Sequence, residues 1–224
     1  KWLPESRKAG TKGAERKPVL HAAAEVVEHP GRPVSRLIWI YSVGMLAFAA
    51  LTSVLALFLD AEHGVTEETI GYFYSYVGIL SFVMRSVFLG PIVERLGEAR
   101  TVRTGTVILV IGLLAYTVAP NLWVLALIIP LVPIGTALLF PSTTALMSRA
   151  SAKEELGTTM GVAQFFAGLA RVIAPILSTT AFQKVGHSAP FFFAAATVGL
   201  VGLMSLKIEQ LSMHTTETPP PVAR

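Results

Sequence analysis

Residues 104–148 read TGTVILVIGLLAYTVAPNLWVLALIIPLVPIGTALLFPSTTALMS, 45 consecutive positions without Asp, Glu, Lys or Arg. As one helix this stretch would run about 68 Å at 1.5 Å per residue, over twice the ~30 Å hydrocarbon core of a bilayer. It must turn back on itself. Ala119-Pro120-Asn121 supplies the hairpin, with Asn121 placed to cap the next helix. Lipid cannot satisfy unpaired backbone groups, so such a run has to be helical. A membrane β-barrel would alternate polar and apolar positions over about ten residues instead.

The same reading extends in both directions. Leu37 to Leu59 is a further stretch of 23 residues without charge. Ile70–Val93 and Thr158–Phe182 each hold a single arginine, and Ala189–Leu206 closes the set. Six spans are predicted, at about 36–59, 69–94, 102–119, 121–147, 156–182 and 189–206. Ser35, Thr66 with Glu67 and Glu68, a Ser151/Glu154 capping box, and Ser188 before Pro190 supply start signals. The predicted fold class is an all-α integral membrane protein, a bundle of six transmembrane helices. Its predicted parts are a cytoplasmic linker (1–35), the bundle (36–207) and a disordered cytoplasmic tail (208–224). The linker is rich in Lys, Arg, Ala, Pro and Gly, with a short surface helix around His21 to Glu28. The tail ends in Pro219-Pro220-Pro221.

Composition agrees. Hydrophobic residues make up 53% of the 224 and charged residues only 14%, against roughly 25% charged in soluble domains. Cysteine is absent, which excludes disulfide frameworks and thiolate sites. The flanks 1–36, 95–103, 149–153 and 207–224 carry 15 Lys and Arg, whereas the opposite loops carry only Lys184. That asymmetry predicts both termini in the cytoplasm. No cleavable signal peptide is expected from the polar, basic opening.

Spans one to three and four to six form two triplets. The middle helix of each carries one arginine, Arg85 and Arg171, and the two cross in opposite directions. That is the pattern of an inverted repeat.

The loop after the second span reads Gly90-Pro91-Ile92-Val93-Glu94-Arg95-Leu96-Gly97-Glu98-Ala99-Arg100. It resembles the cytoplasmic signature of the major facilitator superfamily, G-x-x-x-[D/E]-[R/K]-x-G-[R/K]-[R/K]. Gly90, Glu94, Arg95 and Gly97 match; Glu98 stands where a basic residue is usual, and Arg100 supplies the later charge. Gly90 suits close backbone approach, Gly97 a tight turn, and Glu94 a basic partner or helix N-terminus. The resemblance implies a latch that holds the cytoplasmic side closed. Gly157, Gly161, Gln164, Gly168, Arg171 and Pro175 resemble the eleventh helix of drug:proton antiporters, the tetracycline-efflux-like branch. Pro141, Ala145, Leu146 and Ser148 resemble the end of the tenth helix, and Lys1 to Ser6 the Leu-Pro-Glu sequence after the sixth. The six spans then correspond to helices seven to twelve, the C-terminal half. The resemblance implies an N-terminal six-helix half as partner, with substrate bound between the halves. The opening points to a fragment; a split protein and a half-size protein that pairs with another are the alternatives.

Several residues could carry chemistry. An unpaired arginine at mid-membrane is unfavourable by about 2.5–3.5 kcal/mol. Arg171 is therefore expected either to face the bundle interior, pairing with a substrate anion or carboxylate, or to serve structurally. Arg85, nearer the cytoplasm, fits a structural or snorkelling role, or joins the latch. No carboxylate lies inside a span, so proton coupling would depend on the missing half. Pro130, Pro133, Gly135 and Pro141 make the fourth span a candidate gating helix. Gly157 and Gly161 form a small-xxx-small packing pair. Tyr41, Phe48, Thr52, Gln164 and Phe165 are candidates for a cavity that would suit an amphipathic substrate, with ordinary helix packing as the alternative. Tyr72, Tyr74 and Tyr76 fit an interfacial aromatic belt. No Walker loop, Rossmann fingerprint, G-x-S-x-G or H-E-x-x-H motif occurs, and the basic linker lacks a nucleic-acid-binding fold. The five histidines are dispersed. His63 among acidic neighbours could contact a metal outside, but a solvated loop is the favoured reading.

The expected function is half of a secondary transporter in the plasma (inner) membrane. It moves a small amphipathic or drug-like solute by alternating access, as a proton-coupled exporter. It is not an enzyme, needs no cofactor beyond the proton gradient, binds no metal or nucleic acid, and has the lipid bilayer and a small-molecule substrate as partners. A facilitator of another solute, and a non-transporting scaffold or regulatory subunit, are the alternatives.

Overall fold

A computed structural model of the chain describes residues 19–206, whose regular structure is all helical, with no strand among them. Lys1 to Ser6, the rest of the linker before Val19, Lys207, His214 and the 208–224 tail lie outside the described residues. The helices are α1 (Val19–Glu28), α2 (Pro33–His63), α3 (Ile70–Val83) continued by a π-helical turn (Met84–Phe88) and α4 (Leu89–Leu96), and α5 (Glu98–Tyr116). They continue as α6 (Leu122–Ile128), α7 (Leu131–Ala150), α8 (Leu156–Lys184) and α9 (Ala189–Ser205). Counting Ile70–Leu96 and Leu122–Ala150 as continuous, five segments are long and apolar enough to cross a membrane; α9, with 17 residues, is shorter.

Most span limits agree with the sequence, but the start signals do not all work as read. Asn121 accepts from the Val124 amide at 2.9 Å and caps α6 as expected. Ser35 is not a cap. The helix begins two residues earlier at Pro33, whose fixed φ and missing N–H suit the first turn, and Ser35 lies buried inside it. The Ser151/Glu154 box does not form. The Ser151 hydroxyl donates back to the Met147 carbonyl (2.7 Å) and lies 3.2 Å from Thr159 Oγ1, and α8 starts only at Leu156. The second span starts at Ile70, with Thr66 N donating to Thr69 Oγ1 at 3.1 Å. Ser188 holds the N-cap position of α9 without a side-chain bond.

α2 runs through the centre, packed mainly on α8, α9 and α7, while α5 packs on α7 and α9. Phe58 of α2 meets Phe191 of α9 at a centroid distance of 4.5 Å, and Tyr116 of α5 stacks on the same ring at 5.7 Å. The closest helix crossing joins α5 to α7. Built at Gly105, a Cβ would lie 2.8 Å from the Gly135 carbonyl; built at Gly135, it would lie 2.8 Å from the Gly105 carbonyl. Only glycine at both positions lets these backbones touch.

The short helix read near His21 is α1. Trp39 Nε1 donates to its Val26 carbonyl at 3.4 Å, and Glu25 pairs with Arg32. Burial is uneven across the bundle. In the most apolar stretch of α2, 61% of residues are buried, against 28% in α8 and 6% in Ile70–Leu96. Of the five long apolar segments, the two least buried are the two with an arginine in their apolar interior, Arg85 and Arg171.

Candidate functional site

At 100° per residue, α8 divides into three faces. Ala163, Ala167, Ala170 and Ala174 occupy one sector and are buried against neighbouring helices. Phe165, Leu169, Val172 and Ile176 occupy a second, exposed and wholly apolar, suited to lipid. Between them, within a sector of about 80°, run Gly157, Gly161, Gln164, Gly168, Arg171 and Pro175. This small, polar stripe is exposed or half-buried, and Arg171 lies in it, about 10 Å along the axis from Gln164. Among the described residues neither Arg171 nor Arg85 has a hydrogen-bond or ion-pair partner, and both are exposed. Arg171 therefore does not point into the core of these helices. Its stripe is the edge of the bundle that hydrocarbon cannot comfortably cover. Gly157 has no neighbour within 4 Å and Gly161 only Val19 at 4.0 Å, so the pair does not act as a packing motif among the described residues. Phe165 belongs to the lipid sector, its ring against Phe166 at 5.6 Å, and is separated from Gln164 although adjacent in sequence.

Three of the cavity candidates do converge. Gln164 Nε2 donates to the Tyr41 hydroxyl at 3.1 Å, bridging α8 and α2. Tyr41 and Phe48 both present edge-on rings to Phe140 of α7, at 5.6 and 6.0 Å. Phe140, which sequence reading missed, is the hub of this cluster; its place directly before Pro141 was the available signal. Thr52 turns its hydroxyl back to the Phe48 and Ala49 carbonyls, at 3.0 and 3.2 Å. Beside the cluster opens a groove of about 500 Å³, lined by Tyr41, Arg85, Phe140, Pro141, Thr144, Ala145 and Ser148. Arg85 reaches it from the π-helical turn Met84–Phe88. Such insertions are rare in helices and cluster at functional sites.

The proline-rich span is broken where prolines remove donors. Pro130 separates α6 from α7 and leaves the Ala126 carbonyl without its helical N–H; Tyr76 of α3 donates its hydroxyl there at 3.3 Å. Pro133 does the same to Ile129, whose carbonyl accepts from the buried Tyr116 hydroxyl at 3.4 Å and from the Val132 amide at 3.3 Å. Tyr76 thus has a specific partner on a neighbouring helix, at an exposed site, beyond a belt role. Pro141 sits within α7, followed by Ser142, the only described residue with a buried side-chain polar atom lacking a partner. Gly135 faces α5 at the glycine crossing, not the groove.

The signature loop closes differently from the sequence reading. Gly97 adopts φ 75° and ψ 159°, a conformation essentially restricted to glycine, so the tight turn is as expected. Gly90 meets nothing within 4 Å, so close approach is not its role among the described residues. Glu94 and Arg95 are exposed, and Glu94 pairs with nothing described. The ion pair is made instead by Glu98, the departure from the signature: its carboxylate lies 2.7 Å from Arg149 at the end of α7. The Glu98 side chain is 12% exposed and sits at the N-terminus of α5, where the helix dipole favours an anion. Arg100 lies in the first turn of the same helix. At the opposite end of the bundle, His187 Nδ1 lies 2.6 Å from Glu62, tying the turn before α9 to α2. Among the described residues no group of His, Cys, Asp and Glu could hold a metal.

Residues 37–223 match the Major Facilitator Superfamily. Multidrug resistance protein 1 of Bacillus subtilis (strain 168) is 24% identical over 164 residues, 73% of this chain and 41% of that protein. Hippocampus abundant transcript-like protein 1 of Mus musculus is 29% identical over 121 residues, 54% of this chain and 24% of that protein. Among solved structures, the human organic anion transporter MFSD10 (TETRAN) superposes with a TM-score of 0.69 at 20% identity, covering 77% of this chain and 40% of that one. The chain thus spans about two-fifths of the length of the bacterial relative.

Proposed function

Because the chain belongs to the Major Facilitator Superfamily, we propose that it forms one six-helix lobe of a secondary transporter. The lobe rocks against a second lobe around a solute held at their seam. The observation that carries this is the stripe of α8. An exposed arginine at mid-span, set between Gly168 and Pro175 and distinct from the apolar sector, fits a face that meets a polar cavity or a partner lobe. The arginine of the barely buried second span stands in the same relation.

The lobe reads as two inverted triplets, α2–α3/α4–α5 and α6/α7–α8–α9. Exchanging first with fourth, second with fifth and third with sixth spans turns the α2–α8 contact into that of α7 with α3. It turns the α5–α7 contact into that of α9 with α2, and every one of these contacts occurs. The Lys and Arg asymmetry supports cytoplasmic termini, and so a cytoplasmic Glu98–Arg149 pair that joins the signature loop to α7. The plasma membrane is the expected site. The aromatic cluster around Phe140 supports a small amphipathic or drug-like solute. The multidrug resistance proteins among its relatives support export, as does the resemblance of α8 to the tetracycline-efflux-like branch.

Proton coupling requires a buried titratable acid, and the described spans contain none in their interiors. In this reading the coupling group lies in the other lobe. The same observation keeps an uncoupled facilitator as the second reading. Reconstitution of the complete native polypeptide in vesicles, with flux of an amphipathic dye measured with and without a pH gradient, separates the two. Gradient-driven accumulation supports the antiporter, equilibrating flux the facilitator, and no flux at all contradicts transport.

A further inference from the structure

We propose that the groove between α2, the π-helical turn and α7 is an anion-binding subsite, taking the carboxylate or sulfonate of an aromatic solute. This rests on the transport reading and adds the charge of the ligand. Arg85 is the only charged residue lining the groove. Around it stand Tyr41, whose hydroxyl accepts from Gln164 and keeps its own proton to donate, and Ser148, a second hydroxyl donor; Thr144 spends its proton on the Phe140 carbonyl at 3.0 Å, and no acid lines the groove. The apolar wall is aromatic: Phe140, with the Tyr41 ring edge-on to it and Phe48 behind. A guanidinium, hydroxyl donors and ring edges together select a planar body with a negative head over a neutral or cationic one. The π-helical turn gives the arginine its position, because one extra residue in the turn re-aims the side chains that follow it.

The test is equilibrium binding of naphthalene-2-sulfonate and of its uncharged analogue, naphthalene-2-sulfonamide. It uses the complete native polypeptide in nanodiscs of phosphatidylcholine, by calorimetry. The sulfonate is expected to bind at least tenfold tighter than the sulfonamide. Arg85→Ala should abolish that preference without weakening the sulfonamide, and Arg85→Lys should retain part of it. Ser148→Ala, which leaves the charge in place, should weaken the sulfonate severalfold and serves if Arg85→Ala fails to fold. Equal binding of the two probes, no sulfonate binding, or an undiminished preference in Arg85→Ala would overturn the proposal. A second arm adds phosphatidylglycerol to the nanodiscs. Unchanged sulfonate affinity is expected; displacement by the lipid would assign the site to an anionic headgroup and overturn the solute reading. Binding needs no turnover, so failure here is distinguishable from failure of transport, which the flux measurement reads.

Discussion

Replacing Gly135 with alanine drives a methyl group into the crossing of α5 and α7. The new Cβ would stand 2.8 Å from the Gly105 carbonyl, 2.8 Å from Leu109 Cβ and 2.9 Å from the Leu109 nitrogen. All three are backbone atoms or the Cβ next to the backbone, so no rotamer change relieves the overlap. Ordinary carbon contacts lie at about 3.5–4.0 Å, so the helices have to part by roughly 0.7 Å or more. Overpacking of this kind destabilises by about 1–3 kcal/mol. Elsewhere Gly→Ala in a helix interior gains up to about 1 kcal/mol, so the sign separates the sites. Gly135→Ala and Gly105→Ala should lower the unfolding midpoint in detergent. Gly78→Ala, at a position with no neighbour within 4 Å, should hold or raise it. The double variant should lose less than the sum, because one helix separation accommodates both methyl groups. A Gly135→Ala protein as stable as wild type, or strictly additive losses, would refute the crossing.

Three further outcomes follow from single contacts. Tyr116→Phe removes the hydroxyl that reaches the Ile129 carbonyl, and should lower stability by about 0.5–1.5 kcal/mol in thermal unfolding; Tyr76→Phe, at an exposed site, should have a smaller effect. Ser142→Ala deletes a buried hydroxyl without a partner, so stability should stay level or rise, by up to about 1 kcal/mol. Glu98→Arg sets two like charges together, and should increase labelling of a single cysteine introduced at Ser148, beside Arg149; Glu98→Arg with Arg149→Glu should restore it, with less than about 1 kcal/mol at stake because Arg149 is largely exposed.

The helical membrane fold was legible in the charge-free runs, because hydrocarbon imposes length and composition on any segment that crosses it. Asn121 was legible as a cap for a local reason: its acceptor meets a backbone donor three residues on. Ser35 and Ser151 were misread because Pro33, and a tertiary contact to Thr159, outweighed local capping. Gly135 looked like a breaker beside prolines, and only its pairing with Gly105, 30 positions earlier, reveals a packing role. The groove was half visible. Tyr41, Arg85 and Pro141 were singled out separately, yet nothing local shows that α2, the π-helical turn and α7 bring them together around Phe140. Glu98 was noted as a departure from a pattern; its use became clear only with Arg149 beside it.

The central claim is that the stripe on α8 faces water and the adjoining sector faces lipid. These 224 residues contain no cysteine, so single cysteines can be placed at Gly168 and Arg171 of the stripe and at Val172 and Ile176 of the apolar sector. N-ethylmaleimide needs a hydrated thiolate to react. Fast labelling at 168 and 171, with 172 and 176 silent in the native membrane, is the predicted result. Equal labelling at all four positions, or silence along the stripe with reaction at 172 and 176, would contradict it.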